Sequence, residues 1–504
     1  MKLAAFLAAH ALATPGREAV ACEGKRLTFG EIDEQSTRLA HGLVSRGIEI
    51  GDRVAIHLSN CTEFVVAFMG VVKAGAIAIT LNPKLSVAEV GYILGDATPK
   101  AVILEAETRA GLAQATGVPG LRIAVDDPRM GEVAFSALVT DGGTDLPDIP
   151  PDFDDCMISY TSGTTGNPKG AIITQANYIM LAAYFNGVQW NLKTSDRILA
   201  TTPLAHRSAF QRLLNMICAG ASLVVMPRFD AKEAARLIER EGITLMGMVP
   251  TVGRLLLPEI EAAPSRFRSL RAAVVTGEAF PVEVKQRLLK ALPKLELHSF
   301  FAMTEAGAIT NLGPAEQLGK GGSVGRVNPG VEVRLVDDKG ARVATGETGE
   351  ILVRSGPPGS SLTMRAYFNN PQATAEAFVD GWFRTGDLGK FDAEGYLYIV
   401  DRKKDMVLSG GYNIYSKEVE TAILGLPGVQ DVAVVGVPDA VYGEAVAAFV
   451  EIRPGHVLTS EQVVAHCREK ISSYKKPKHV RFVAALPRNS TGKVLKFELR
   501  KGFG

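Results

Sequence analysis

An α/β fold is predicted by three features of the sequence: a large N-terminal region with mostly parallel sheets, a small antiparallel β unit, and a small α+β C-terminal domain. First, the short β-branched runs DRVAIHL, KAVILE, ASLVVMP and RAAVVTG alternate with helical stretches at 36–47, 231–241 and 281–292. Strand and helix in alternation imply parallel sheets layered with helices. Second, after about Gly330 the strands VEVRLVDD, GEILVRS and GYLYIVD follow closely, separated by Gly and Asp turns, which suits an antiparallel unit. Third, beyond DRKKDMVLSGGYN the order is helix 416–426, strand 429–437, strand 444–452, helix 459–472 and strand 479–483. That reads as a compact α+β domain.

The 504 residues, 46% of them hydrophobic, are enough for about three domains with large cores. Lys and Arg total 55 against 54 Asp and Glu, a formal charge of +1, so no global field recruits nucleic acid or an anionic membrane. The cysteines, Cys22, Cys61, Cys156, Cys218 and Cys467, are scattered with no C-x-x-C pair. Reduced thiols in a cytoplasmic protein are expected, rather than zinc or a disulfide framework. The opening stretch MKLAAFLAAHALATPG has the outline of a secretory signal, but Leu3, Phe6, Leu7 and His10 fall at helical spacing and predict an amphipathic first helix. The other long apolar run, 64–72, is too short to span a bilayer.

The stretch YTSGTTGNPKG, Tyr160 to Gly170, has too much backbone freedom for a helix or strand interior. Glycines let backbone N–H groups turn toward an anion, hydroxyls add donors, and Lys169 adds a mobile positive charge. That is the inventory for a polyphosphate. The loop is not a Walker A sequence, which places lysine directly after glycine, because Asn167 and Pro168 intervene here.

Five further stretches accompany this loop: TGEAF (276–280), FFAMTEAG (300–307), GWFRTGDLG (381–389), YIVDRKKDMVLSGGYNIYSKEVE (398–420) and LPRNSTGKVLK (486–496). With them the chain resembles, over nearly its whole length, the adenylate-forming superfamily of acyl-CoA synthetases, firefly luciferase and peptide-synthetase adenylation domains. The resemblance implies an acid–CoA ligase using ATP, Mg²⁺ and CoA. A carboxylate and ATP give acyl-adenylate and pyrophosphate, and a thiol then captures the acyl group. It also implies an adenylation region at 1–401 and a C-terminal domain at 402–504 that rotates about a hinge near Lys404. The expected partners are a small carboxylic acid and CoA, with no nucleic acid and no stable membrane insertion, and a homodimer is left open. An adenylating enzyme serving a carrier-protein thiol, and a nucleotide or acyl-adenylate binder without turnover, are the alternatives.

The same resemblance assigns residues. Thr161, Ser162, Gly163, Thr164, Thr165, Gly166 and Lys169 would hold the polyphosphate. Phe301 would lie against adenine, with Gly277, Glu278 and Ala279 on its other face. The family commonly has tyrosine at the first position and glycine at Ala302, and a phenyl face still stacks. Asp387, with Arg402 nearby, would bind the ribose hydroxyls. Glu305 would hold Mg²⁺, since a hard cation requires oxygen ligands, and Thr304 would contact the α-phosphate. Lys493 would bridge the acid carboxylate and the α-phosphate. Gly410 and Gly411 would let a pantetheine arm pass, with Tyr442 standing where CoA ligases often carry Trp. His206 is the expected gate of the acid pocket, although Ala205 replaces the usual aromatic before it.

Arg207 could grip a CoA phosphate or a distal substrate carboxylate, and pairing with an acidic residue such as Glu278 is the expectation favoured here. The apolar neighbours Phe210, Met246, Met248, Val249, Phe300 and Ala306 predict a hydrophobic acid, whether fatty, alicyclic or aryl.

Overall fold

The computed structural model describes residues 2–161, 168–277, 280–488 and 494–503. The chain divides into two compact units, Met1–Val333 with Val353–Phe383, and Arg334–Leu352 with Arg384–Gly504.

Two sheets organise the first unit. One has the order Val133–Ala134, Leu121–Ala124, Ala101–Leu104, Arg53–His57, Ile77–Thr80, Asp155–Thr161 and Lys169–Thr174. All its pairings are parallel except the last, an antiparallel hairpin in which Thr161 stands opposite Lys169. The other runs Arg326–Val327, Gly307–Leu312, Glu296–Met303, Ala272–Val275, Leu245–Met248, Arg197–Ala200, Ser222–Val225, Glu18–Cys22 and Lys25–Thr28. Its centre is parallel, and one side again closes with an antiparallel hairpin, 296–303 against 307–312. The nine-stranded sheet also has a second hairpin at its other side, 18–22 against 25–28. The hairpin of the first sheet has Thr161 and Lys169 as its last described pair, and the turn of the FFAMTEAG stretch joins 296–303 to 307–312.

Local chemistry sets the helix ends. Asp230 caps Ala231–Glu241 by accepting from the Glu233 N–H, and Gly242 at φ +61° stops it. The helix predicted at 36–47 instead spans Phe29–Val44, because Thr28 and Glu31 form a capping box that starts it seven residues upstream of the predicted start. The first helix is Leu3–Ala13, with Leu3 and Leu7 buried while Leu12 is exposed. Helix Thr62–Lys73 is buried on nearly every face, and its Lys73 ammonium meets Asp33 at 2.7 Å. Among the described residues no helix is long and apolar enough to cross a membrane.

Strand alternation divides the residues expected to line the acid pocket. Met246 and Met248 pack with Leu199, Val224, Ala273, Val275 and Leu297 against helices Ala231–Glu241, Pro250–Ala262 and Val282–Ala291. Phe210 is packed between Phe64, Phe68 and Tyr178, with ring centroids 4.7–6.5 Å apart. These three residues belong to cores. The apolar pocket wall expected from sequence is not one surface.

The second unit carries strands Val429–Asp439 and Gly443–Ile452 in a long antiparallel hairpin. His479–Val483 lies parallel to the latter on its free edge, and the short hairpin Val407–Ser409/Tyr412–Ile414 meets the start of the same edge through Ser409 and Gly443. Val432 and Val434 face helix Ser416–Leu424 and its core, while Ala433, Val435 and Val437 face Leu486 and Leu499. Buried Asp401 accepts from the Ser416 backbone N–H and, at 3.1 Å, from its hydroxyl, which fixes the start of that helix.

Candidate active site

Strand Glu296–Met303 ends in a turn of three residues, Thr304, Glu305 and Ala306, before Gly307 starts the return strand. Gly307 has φ +68°, and a Cβ there would stand 3.0 Å from Leu362, so the turn can close only around glycine. This places Glu305, 8% exposed, at the tip. Its Oε1 accepts from the Thr161 hydroxyl at 3.0 Å and from the Tyr367 phenol at 3.2 Å. The two hairpin tips are joined at this carboxylate.

Tyr367 is held there by backbone pairing. The Ile172 N–H donates to the Ala366 carbonyl at 2.9 Å, the Phe368 N–H to the Gly170 carbonyl at 2.7 Å, and the Met364 N–H to the Glu305 carbonyl at 2.7 Å. Lys169 Nζ lies 5.2 Å from the Tyr367 ring centroid, within cation–π range. Burial, then the Glu305 charge, pushes the phenol pKa up, so the group stays a protonated donor. The sequence reading missed Tyr367. Nothing in MRAYFNNP distinguishes it from a packing tyrosine.

Helix Arg207–Ala219 begins beside this turn. Arg207 Nη1 donates to the Thr304 carbonyl, while its Nε and Nη2 are buried without a partner among the described residues. His206 Nε2 is likewise buried and unpartnered among the described residues, and burial lowers its pKa, leaving a neutral imidazole. The Arg207 pKa is also pushed down by burial, with Tyr178 and Glu305 acting in the opposite sense. Glu278, the partner expected for Arg207, lies outside the described residues, as do Ala279, Ser162, Gly163, Thr164, Thr165, Gly166 and Lys493. Gly277 has φ +102°, a conformation that L side chains rarely adopt, and it directly follows strand Ala272–Val275 and Thr276. Phe301 is partly buried opposite Thr310.

In the second unit Asp387 and Arg402 are cross-strand partners, with Arg402 Nε 3.2 Å from Asp387 Oδ1. Asp387 is buried behind a turn in which Gly386 has φ +71°, and its N–H donates to the Thr385 hydroxyl at 3.1 Å. Gly410 and Gly411, at φ +56° and +81°, form the tip of the short hairpin. The Gly410 N–H donates to the Tyr442 carbonyl at 2.9 Å, and a Cβ on Gly410 would meet the Tyr442 ring at 3.1 Å. The structure therefore brings Gly410 and Tyr442 together. The Lys404 carbonyl accepts from Arg500 Nη2 at 3.0 Å, which ties this stretch to helix Lys496–Lys501.

Among the described residues no three His, Cys, Asp or Glu side chains cluster to form a protein-only metal cage. Glu305 alone fits Mg²⁺, a cation that is typically held by one or two carboxylates together with substrate phosphates.

The family model of AMP-binding enzymes matches residues 7–368, and that of the AMP-binding enzyme C-terminal domain matches 418–493. The chain is 35% identical to the long-chain-fatty-acid–CoA ligase FadD13 of Mycobacterium tuberculosis over 95% of this chain and 93% of that one. It is also 35% identical to a feruloyl-CoA synthase of an Amycolatopsis species, over 97% of each. Among solved structures, O-succinylbenzoate coenzyme A synthetase (MenE) from Bacillus subtilis, in complex with ATP and magnesium ion, superposes with a TM-score of 0.86 at 28% identity. That match covers 99% of this chain and 98% of the other. The protein is thus a member of the adenylate-forming, AMP-binding enzyme family.

Proposed function

We propose that the protein is an ATP-dependent acid–CoA ligase. In the first half-reaction a carboxylate oxygen of the acid attacks the α-phosphorus of ATP. The bond to the β-phosphate oxygen breaks, and acyl-adenylate and pyrophosphate form. In the second, the CoA thiol attacks the acyl carbon, releases AMP and gives up its proton to solvent. The observation that carries this reading is the junction of Thr161, Tyr367 and Glu305, where a carboxylate is fixed beside the Gly/Ser/Thr loop.

Each residue then has a task. The loop with Lys169 takes the β- and γ-phosphates, and Thr304 faces the α-phosphate. Glu305 would hold Mg²⁺, whose charge offsets the repulsion between the acid carboxylate and the triphosphate. Phe301 and the 277–279 loop flank adenine, and Asp387 with Arg402 takes the ribose. Lys493 orients the attacking carboxylate during adenylation. Neutral His206 gates the acid. Lys404 is the hinge about which 402–504 turns, so that Gly410, Gly411 and Tyr442 replace Lys493 at the centre and admit the pantetheine arm. An apolar carbon body on the acid suits Phe300 and Val274, both buried.

Pyrophosphate release across a panel of carboxylic acids, with and without CoA, tests this directly, followed by mass detection of the thioester. Pyrophosphate and thioester from at least one acid are expected. No thioester from any acid would overturn the ligase reading.

A further inference from the structure

A few buried polar side chains interrupt one otherwise apolar face of the nine-stranded sheet. Gly247, Val274 and His298 stand in one register row on it, and Phe300 lies two residues beyond His298 on the same strand face. Arg212, on helix Arg207–Ala219, covers this row and is only 2% exposed. Its guanidinium carbon is 4.6 Å from the Trp190 ring centroid. A Cβ on Gly247 would stand 3.1 Å from Arg212 Cδ, so the missing side chain makes room for the arginine stem. Trp190 in turn lies 6.0 Å from Phe300 and 6.4 Å from His298, centroid to centroid.

Polar capacity is left over throughout this cluster. Arg212 Nη2 donates to Gln211 Oε1 at 3.2 Å, but Nε and Nη1 are buried without partners among the described residues. Trp190 Nε1 and Asn215 Oδ1 are buried and unpartnered among the described residues as well, while the His298 ring has Asn311 as its polar neighbour. Among the described residues no carboxylate pairs with Arg212. Burial lowers its pKa to about 9, which still leaves it charged at neutral pH, and pushes His298 down to about 4, which leaves it neutral. A buried cation without a counterion is costly.

The cluster sits near the strand ends that lead to the Thr304–Glu305 turn. Gly247 is one residue from the carboxyl end of its strand, the end at which α/β sheets bind ligands. Phe300 precedes Thr304 by four residues, and Arg207, bonded to the Thr304 carbonyl, is a helical rise of about 7.5 Å from Arg212. Building on the ligase reading above, we propose that the acid carries a second carboxylate, received by Arg212 against Trp190. The substrate class is dicarboxylic acids with a short apolar body, and Arg212 is the specificity-determining residue.

The test compares α,ω-dicarboxylates from succinate to suberate with monocarboxylates of equal length, by pyrophosphate release from the full-length protein with ATP, Mg²⁺ and CoA. Wild type is expected to favour the best diacid by about 100-fold in kcat/KM, because a site built to bind a polar group discriminates strongly against its absence. Arg212→Met should lower diacid use by about 100-fold and leave or raise monoacid use, while Arg212→Lys retains part of the preference. Replacing an unpaired buried charge by an apolar side chain is often neutral or stabilising, and the Tm of each variant checks this. Equal use of both acid classes by wild type overturns the proposal, as does an equal loss of both in Arg212→Met. The protein has two tryptophans, Trp190 and Trp382. In a Trp382→Phe background, diacid binding should therefore change Trp190 emission, and Arg212→Met should abolish the change. That readout separates the two readings. No pyrophosphate from any acid defeats the ligase function, whereas an emission unmoved by diacids defeats this proposal.

Discussion

Thr161 and Glu305 are 144 residues apart in the chain and 3.0 Å apart in the fold, joined by a hydrogen bond from the threonine hydroxyl to the carboxylate. Each stands at the tip of an antiparallel hairpin that closes one side of an otherwise mostly parallel sheet. Hairpin tips bring the two motifs to one point without a long connecting loop, while the strands behind them stay packed. Thr161 and the Glu305 carboxylate are thereby set in register by sheet geometry.

Tyr367 completes that junction, so Tyr367→Phe should weaken it without removing a ring that packs. A hydrogen bond to a charged group is worth about 1.5–3 kcal/mol, or about tenfold or more in rate if it is lost at the transition state. The adenylation kcat should fall about tenfold and the Mg²⁺ concentration for half-maximal rate should rise. Glu305→Gln should cost about 10²–10³-fold. ATP–pyrophosphate exchange at varied Mg²⁺ measures both, and an unchanged Mg²⁺ dependence in both variants would refute the assignment.

Acid should destabilise the first unit through two buried histidines. His57 and His298, 3% and 4% exposed, have pKa values lowered by burial from 6.5 to about 4. The unfolded chain takes up these protons near pH 6.5 and the folded chain only near pH 4, so the unfolded state binds more protons in between. Stability is therefore fully present above about pH 6.5 and is lost as pH falls toward 4, by about 3 kcal/mol per histidine. Tm measured from pH 7.5 to 4.5 should drop, and His57→Gln should flatten the slope.

Much of this arrangement is legible in the sequence, and the illegible parts have physical reasons. Helix Ala231–Glu241 and strand His479–Val483 are read to the residue, because an Asp cap, a stopping Gly and a clear run of β-formers mark them. The start of Phe29–Val44 is misplaced because the Thr28–Glu31 capping box is short and polar while the eye follows the apolar residues after it. The direction of Met246 and Met248 is hidden because a strand buried on both faces shows no polar alternation. Arg212 looks in FQRLLN like any solvated charge on an amphipathic helix; only packing against Trp190 and Gly247 reveals a buried cation. The motif glycines and Asp387 were visible because turns and phosphate-type loops need particular residues at particular spacings.

The Asp387–Arg402 pair predicts a nucleotide-binding phenotype. Asp387→Ala removes the proposed ribose acceptor and leaves Arg402 without this partner. The KM for ATP should rise at least about tenfold, with the larger share of the effect on KM rather than on kcat, as expected for a contact made equally in ground and transition states. Steady-state kinetics at saturating acid measure the split. A defect confined to kcat would place Asp387 outside the ribose site.

Gly410→Ala should separate the half-reactions from the thiol side. The added methyl meets the Tyr442 ring at 3.1 Å, and φ +56° is strained for an L side chain. Thioester formation from supplied acyl-adenylate should fall about tenfold or more, whereas pyrophosphate release in the first turnover should hold. Strain of this kind costs about 1–3 kcal/mol, so a thermal melt distinguishes a blocked passage from a loosened hairpin. Equal loss of both half-reactions with an unchanged Tm would contradict the pantetheine role.

Lys493, outside the described residues, supplies the complementary test of rotation about Lys404. If it enters the centre only for adenylation, Lys493→Ala should reduce acyl-adenylate formation by about 10²–10³-fold, the scale for loss of a well-placed electrostatic group. The same variant should convert supplied acyl-adenylate and CoA to thioester at nearly the wild-type rate, because after rotation other residues of the C-terminal domain face the site. Single-turnover assays of each half-reaction give the two rates independently. A variant slowed equally in both would mean that Lys493 serves one fixed geometry, and the two-state domain account would then fail.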